Sequence, residues 1–540
     1  LDSCACRVNN QHMESHRSPG SLPNPQRVAI VGAGIGGLCA ALRLTAMGMN
    51  VTVIDRQAAP GGKMRQMPSA AGGVDAGPTV LTMRHVFDDL FAAAGDLLEN
   101  HVTLHKQDVL ARHWWPGTGP LDLYSDRARS AEAIGDFFDA RAKAQFQAFC
   151  ARAETLFEGF QGPVIDAPTL SLGGLTRHVF AHPHLIRTMA PLSTLAGLLD
   201  RSFTDPRLRQ LFGRYATYVG GSPYKAPALL SLIWQAEENG VWVVQGGMHA
   251  LAQAIAGQIQ AMGGKLRMNA HVAQILTDSG GVTGVSLQDG TVIPADKVVF
   301  NGDPRALALG DLGDTVSNLA PQTLTKPRSL SAQVWAFAAK PKGPELAHHN
   351  VFFCQDARAD FNALHKGQTP QDTTLYICAE DRGMGTAPPQ IERFEIILNA
   401  PPTTQASQDT GEYTSCHQRT FRTLERFGLT FSPEPDKTAL TTPAMFEQLF
   451  PGSAGSLYGQ SPHGMTAALD RPTARTAVKG LYLCGGGCHP GAGVPMAALS
   501  GRHAAEAILT DQTSTSTSRQ MDTPGGISTA SRIVAPARSR

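Results

Sequence analysis

The stretch RVAIVGAGIGGLCAALRLTAMGMNVTVIDR, residues 27–56, decides the fold. It reads as an apolar strand, a glycine turn, a helix and a second apolar strand. Gly32-Ala33-Gly34-Ile35-Gly36-Gly37 satisfies G-x-G-x-x-G. Alone that pattern is weak. Set between a strand and a helix, with Asp55 ending the second strand, it marks a dinucleotide site. Gly32 allows the tight turn, Gly34 lets the backbone approach a pyrophosphate, and Gly37 lets helix and strand pack closely. The helix N-terminus then turns free N–H groups toward the anion. Asp55 is placed to accept from the ribose hydroxyls, and its charge repels a 2′-phosphate.

Moving outward, DRQAAPGGKMRQ follows the second strand and carries Gly61, Gly62 and Lys63; VDAGPTVLT covers residues 74–82. A plain NAD domain runs directly into its next crossover helix. Here a second glycine turn bearing Lys63 and Arg65 suits a pyrophosphate lying extended across the domain, which favours FAD. Near the other end, CGGGCHPGAG (484–493) raises a different question, since two cysteines and a histidine lie within six positions. The spacing fits neither C-x-x-C-H haem attachment nor a C-x-x-C redox pair, and no second ligand pair for zinc is nearby. With LYL before it and SGRHAAEAIL after it, the stretch reads as strand, glycine loop and helix, and no metal site is expected.

The remainder of the chain bounds the function. A net charge of +1 over 540 residues argues against a nucleic-acid partner. No apolar run reaches the ~18 residues of a spanning helix. The N-terminal segment has no hydrophobic signal core, and nine scattered cysteines fit a reducing compartment. Residues 1–26 and the Ser/Thr-rich segment 511–540 read as disordered. From about 107 to 235 helical patterns dominate, and residues 271–303 read as strands with hairpin turns at SGG and QDG.

These residues resemble a known family. VAIVGAGIGGLCAALRL, APGGK and DAGPTVLT are similar to the FAD-dependent carotenoid desaturases of the bacterial phytoene-desaturase type. The likeness continues through YVGGSPYKAPALL (218–230), GVWVVQGGMHALAQAI (240–255), ADKVVFNGD (295–303) and LYLCGGGCHPGAGVPMAALSGRHAAEAI (481–508). Residues 211–242 and 489–508 look most like the branch that introduces the 3,4 double bond into 1-hydroxycarotenoids. Lys63 stands where relatives usually carry arginine, and Gly302 where alanine is commoner.

The resemblance implies an α/β fold: a Rossmann-like FAD-binding domain of the amine-oxidase-like flavoprotein type with an inserted α+β substrate domain. It places the FAD-binding domain in 27–106, 236–304 and 465–510, and the substrate and membrane-docking domain in 107–235 and 305–464. Carried over by motif, Gly32, Gly34, Gly37, Asp55, Gly62 and Lys63 hold the adenosine and pyrophosphate, with Ala33, Ile35, Gly36 and Arg56 in the same site. Val272 contacts the adenine region, and Gly486, Gly487, Gly493 and Val494 lie along the ribityl chain and isoalloxazine ring.

Desaturation removes a hydride and a neighbouring proton, and the flavin takes the hydride. The protein must then align a long hydrocarbon in an apolar tunnel. In the hydroxycarotenoid reading, a polar group at the tunnel's end measures the substrate by its hydroxyl. For the proton, Tyr215, with Arg214 and Tyr218 beside it, and His489 are the candidates; helix packing and a loop-fixing hydrogen bond are the plainer roles for each. Trp234 and Trp242 read as core. The substrate dissolves in membranes, so peripheral docking on the inner or intracytoplasmic membrane from the cytoplasmic side is expected, through residues 175–199. Oxygen and a quinone both remain open as electron acceptor. The rival readings are a phytoene desaturase or carotenoid isomerase of the same family, a flavin amine oxidase, and a lipid carrier that has lost its flavin.

Overall fold

The chain is described from a computed structural model over residues 25–403 and 411–519. The disorder expected of residues 1–24 and 520–540 lies outside the described residues. Its nucleus is the opening stretch. Arg27–Val31 pairs in parallel with Asn50–Ile54 and Lys297–Phe300, and the sheet runs in the order Leu481–Leu483, Lys297–Phe300, Arg27–Val31, Asn50–Ile54, Lys265–Arg267. Strands buried on both faces read as continuous apolar runs, as RVAIV and LYL do. Helices Ile35–Ala46, Met248–Ala261 and Val494–Arg519 cover one face and share a core with it. The first and last of these cross closely: a Cβ at Gly501 would overlap the Gly36 carbonyl. A small antiparallel sheet, Val272–Asp278, Gly281–Leu287 and Val292–Pro294, packs on the other face.

The second body is a mixed sheet of eight strands. Its backbone runs Thr430–Ser432, Ser331–Lys342, Glu392–Ala400, Leu375–Ala379, His349–Phe352, Val109–Trp114, Leu121–Tyr124, with one parallel join between His349–Phe352 and Val109–Trp114. A helical layer from Arg127 to Glu238 packs against one end of it around Trp115, Phe212 and Trp234. The hairpin Gln66–Ser69 and Gly72–Asp75 lies on the same sheet and joins the two bodies.

Two expectations change here. Residues 109–124, within the region read as helical, form two strands. The terminal helix continues to Arg519, nine residues into the segment read as disordered from 511.

Candidate active site

Register builds the site wall. In a strand, alternate residues share a face. Val351 pairs with Tyr376, Tyr376 with Ile397, and Ile397 with Val334, so these four form one row across the sheet. All four line a cavity of 1290 Å³. The neighbouring row on that face is His349, Cys378, Glu395 and Ala336. The hairpin covers part of this second row, with Val74 and Ala76 against Ala336.

The cavity begins at the glycine cradle. Gly32 takes φ +102, which a side chain tolerates poorly. Its carbonyl accepts from the Asn301 amide at 3.0 Å. A Cβ at Gly37 would overlap the Gly32 carbonyl, and one at Gly36 would approach Asn301 Oδ1 to 2.8 Å and the Ala497 carbonyl to 2.9 Å. Gly61 and Gly34 form a parallel bridge, which holds the second glycine turn against the first. Gly486 by contrast has nothing within 4 Å of the space a Cβ would take, so its backbone is open to a ligand.

Charge at the cradle is arranged for a nucleotide. Asp55 accepts from the Ala33 N–H at 2.6 Å and the Gln57 N–H at 2.8 Å, which fixes the carboxylate while leaving lone pairs toward the cavity. Burial raises its pKa. Lys63 donates to the Leu457 carbonyl at 2.6 Å, and burial lowers its pKa to about 8. Arg471 donates to the Gly486 carbonyl at 2.8 Å and to those of Gln460 and Tyr458 at 3.0 and 3.2 Å, pinning the C-terminal glycine loop. A buried carboxylate, a helix N-terminus, an open glycine backbone and a lysine below its ordinary pKa fit a flavin dinucleotide.

Of the residues expected from sequence, Gly32, Gly34, Ile35, Gly36, Asp55, Arg56, Gly62, Lys63, Val272, Gly486, Gly487, Gly493 and Val494 line the cavity together. Ala33 and Gly37 lie behind the wall, where Ala33 holds Asp55 and Gly37 makes room for the turn. Arg65 is not on the wall; its guanidinium donates to Thr441 Oγ1 at 2.5 Å and stacks over Phe446.

Neither proton-transfer candidate reaches the cavity. His489 Nε2 lies 2.7 Å from the Ala167 carbonyl, and the ring stacks on His503. Tyr215 is fully buried and donates to Glu237 at 2.8 Å. Its neighbours Arg214 and Tyr218 do line the cavity, and Glu237 binds all three side chains. Their contacts are a loop hydrogen bond for His489 and a buried bond to Glu237 for Tyr215. Trp234 is core, as expected.

The cysteines of CGGGC are buried. Cys484 Sγ lies 3.5 Å from Asn301 Oδ1, and Cys488 Sγ is 3.5 Å from the Cys484 carbonyl. Burial pushes the Cys488 thiol up to about 12. Among the described residues, the side chains close enough to share a metal lie elsewhere, at His348, His349 and Cys378, where each histidine Nδ1 is already engaged by a protein oxygen.

Three features escaped sequence reasoning. Asn301 ties the two glycine loops together and Arg471 pins the C-terminal one, and Asn301 lay in plain view in the quoted VVFNGD. The third is Tyr376, whose hydroxyl lies 2.6 Å from Thr79 Oγ1 and 2.6 Å from His349 Nδ1. These partners are separated by up to 297 positions, and only sheet register brings them together.

Comparison with known proteins agrees with this geometry. The family described as flavin containing amine oxidoreductase matches residues 35–342 and 413–509. A hydroxyneurosporene desaturase from Cereibacter sphaeroides is 52% identical over 91% of this chain and 99% of its own length. The Rhodobacter capsulatus protein of the same name is 49% identical over 90% of this chain and 98% of its own. Among solved structures, the cyclohexylamine oxidase from Brevibacterium oxydans superposes with a TM-score of 0.55 at 16% identity, covering 91% of this chain and all of that one. That last likeness concerns the fold alone.

Proposed function

Since the chain belongs to the flavin-containing amine oxidoreductase family, in its carotenoid-desaturase branch, we propose that it desaturates an acyclic carotenoid during carotenoid biosynthesis, introducing the 3,4 double bond into a 1-hydroxycarotenoid such as 1-hydroxyneurosporene. The cofactor is FAD, which when bound accepts the hydride. The observation that carries the reading is one continuous cavity joining the dinucleotide cradle to an apolar chamber. At 1290 Å³ it exceeds the usual range of about 300–1,000 Å³ for one small ligand. It therefore has room for a dinucleotide and a long hydrocarbon together.

The protein's part is positional. The cradle holds the adenosine by Asp55 and the pyrophosphate by the first helix N-terminus and Lys63. Arg471 fixes the glycine loop beside the ring. The sheet row Val351, Tyr376, Ile397 and Val334 forms a flat wall against which a conjugated chain can lie, with Phe157, Phe160 and Leu229 on the helical side. Burial of so much apolar surface excludes water and aligns one bond with the cofactor. No wall residue is assigned the proton.

The substrate reaches the chamber from a membrane surface. Among the described residues, no helix is long and apolar enough to cross a bilayer. Helices Leu172–Ala181 and His184–Met189 instead present Leu172, Phe180, Ile186 and, just beyond, Leu192 to solvent, with Arg177 and Arg187 among them. Leu192 is fully exposed and Phe180 is 71% exposed. Apolar side chains beside basic ones suit an anionic lipid surface. The patch sits over one end of the cavity, because Leu175, Val179 and Leu185 pack on Phe160, Leu229 and Leu232 of its wall.

The test is to incubate purified protein with FAD in liposomes carrying hydroxylated or plain acyclic carotenoids. Loss of two mass units from the hydroxylated substrate is expected. Conversion of phytoene alone, or isomerisation without mass change, overturns the reading.

A further inference from the structure

We propose that Thr79, backed by Tyr376 and His349, receives the hydroxyl of the substrate and so selects hydroxylated over plain acyclic carotenoids. This rests on the function proposed above and adds the site that sets its specificity.

The argument begins with the substrate. A hydroxyl on C1 is separated from the C3–C4 bond by a single methylene. Its partner must therefore lie beside the cofactor, and the far end of the chamber is excluded. Thr79 meets that condition. It lies on the loop after the hairpin, and a Cβ at Gly77 on this loop would overlap the Lys63 carbonyl. Lys63 follows Gly62, which in turn packs on Gly34 of the cradle. The loop carrying Thr79 thus touches the cofactor site.

Hydrogen-bond capacity is the second line. Tyr376's hydroxyl is engaged on both sides, by Thr79 Oγ1 and His349 Nδ1, each at 2.6 Å. Thr79 has valence left over and lines the cavity. His349 Nε2 is buried without a partner among the described residues, so nothing fixes the ring's tautomer. With a proton on Nδ1, the chain runs from His349 through Tyr376 to Thr79, and Thr79 donates outward. With the other tautomer it runs in reverse, and the Thr79 oxygen accepts. An alcohol, which donates and accepts, matches either arrangement. Tyr218 is held differently. Its hydroxyl accepts from Arg214 at 2.7 Å and donates to Glu237 at 2.6 Å, which leaves an acceptor lone pair on a residue that also lines the cavity. Tyr218 lies near enough to Tyr376 to add to the elevation of that hydroxyl's pKa.

Five other polar groups on the wall are less suited. Lys63 and Arg471 bind backbone carbonyls, and Asp303 pairs with Arg328. Asp200 and Arg209 pair with each other in an exposed position, where water competes with any hydroxyl. A buried hydroxyl left unmatched by an apolar substrate carries the full desolvation cost, which is what makes such a site discriminate.

The experiment uses full-length, FAD-loaded protein in liposomes. The wild type, Thr79→Val, Tyr376→Phe and Tyr218→Phe are compared on 1-hydroxyneurosporene and on 1,2-dihydroneurosporene, which has the same skeleton without the oxygen. The readouts are kcat/KM and, for substrates that bind without turning over, Kd by flavin fluorescence. Flavin absorbance confirms that each variant is loaded. Thr79→Val is expected to shrink the hydroxylated-to-plain preference roughly ten- to hundredfold, with Tyr376→Phe and Tyr218→Phe acting in the same direction. A preference within about twofold of wild type in all three variants overturns the inference and leaves the proposed function standing. A wild type that binds and converts neither compound removes both.

Discussion

The cofactor cradle and the substrate chamber share one cavity but are built on different principles. The cradle is made largely of backbone, with the Asp55 and Lys63 side chains set into it. Its glycines act by what they lack, and its two loops are each continuous in sequence. The chamber is made of side chains that arrive from distant strands and helices, and its polar members are held by one another. Arg214, Tyr215 and Tyr218 converge on the single carboxylate of Glu237, which is almost fully buried. A backbone site fails when something is added to it, whereas a side-chain site fails when a member is removed.

Glu237→Gln should have the largest effect. It leaves the Arg214 guanidinium buried without a countercharge, a change that costs about 3–5 kcal/mol of stability. A clear drop in melting temperature by calorimetry is expected, with FAD still bound to the folded fraction. An unchanged melting temperature would break the comparison, since the chamber would then not depend on its network.

Gly37→Val tests the opposite failure. The added side chain overlaps the Gly32 carbonyl, and overpacking of this kind costs about 1–3 kcal/mol. The visible flavin absorbance of the purified protein should disappear. Retention of bound flavin at wild-type occupancy would show that the cradle is looser than its backbone contacts indicate.

Lys63 sharpens the comparison through pH. Its folded pKa of about 8 lies below the ordinary lysine value because the ammonium is buried. A bound pyrophosphate restores a partner and raises that pKa, so above pH 8 binding must take up a proton. FAD affinity is then expected to hold up to about pH 8 and to fall by up to about tenfold per pH unit beyond it. Without FAD the unfolded chain binds the extra proton between about 8 and the ordinary lysine value, so stability of the free protein rises with pH across that window. Titration of FAD from pH 7 to 9.5 checks the first point, and Lys63→Met should bind more weakly with a flat profile.

The smallest stability effect is expected at the exposed patch. Phe180→Glu and Leu192→Glu alter side chains that pack on little, so stability should change by less than about 0.5 kcal/mol. Co-sedimentation with anionic liposomes should nonetheless fall. Wild-type sedimentation by the double variant would remove this patch as the docking surface.

The same contrast explains what the sequence made legible. Residues 27–56 hold two strands, a helix and a glycine turn in thirty consecutive positions, so local chemistry was enough to assign them. The loop at 484–493 was legible for the same reason. Position along a motif does not reveal where a side chain points. Arg65 follows the second glycine turn yet leaves the cavity for Thr441, and His489 sits within the flavin loop yet bonds to Ala167. Tyr215 and Tyr218 are three residues apart, and only Tyr218 reaches the wall. Strands Val109–Trp114 and Leu121–Tyr124 were obscured because the parallel strand that completes them, His349–Phe352, is supplied more than two hundred residues later. In the terminal helix, a Ser/Thr-rich composition concealed continuation to Arg519.

Asn301 bears on the order in which the molecule can be made. Its amide holds the Gly32 carbonyl, 269 positions earlier, and its oxygen receives the Cys484 thiol, 183 positions later. Leu481–Leu483 then adds the last strand to the sheet begun by Arg27–Val31. A ribosome therefore releases the first glycine turn long before the segment that closes the site exists. Domains fold as their chain becomes available, but this nucleotide site must wait until Leu481–Leu483 and the glycine loop after it have been translated. Flavin capture is in consequence a late event of biosynthesis, and a chain interrupted before residue 481 emerges with an open cradle however well its earlier segments have folded.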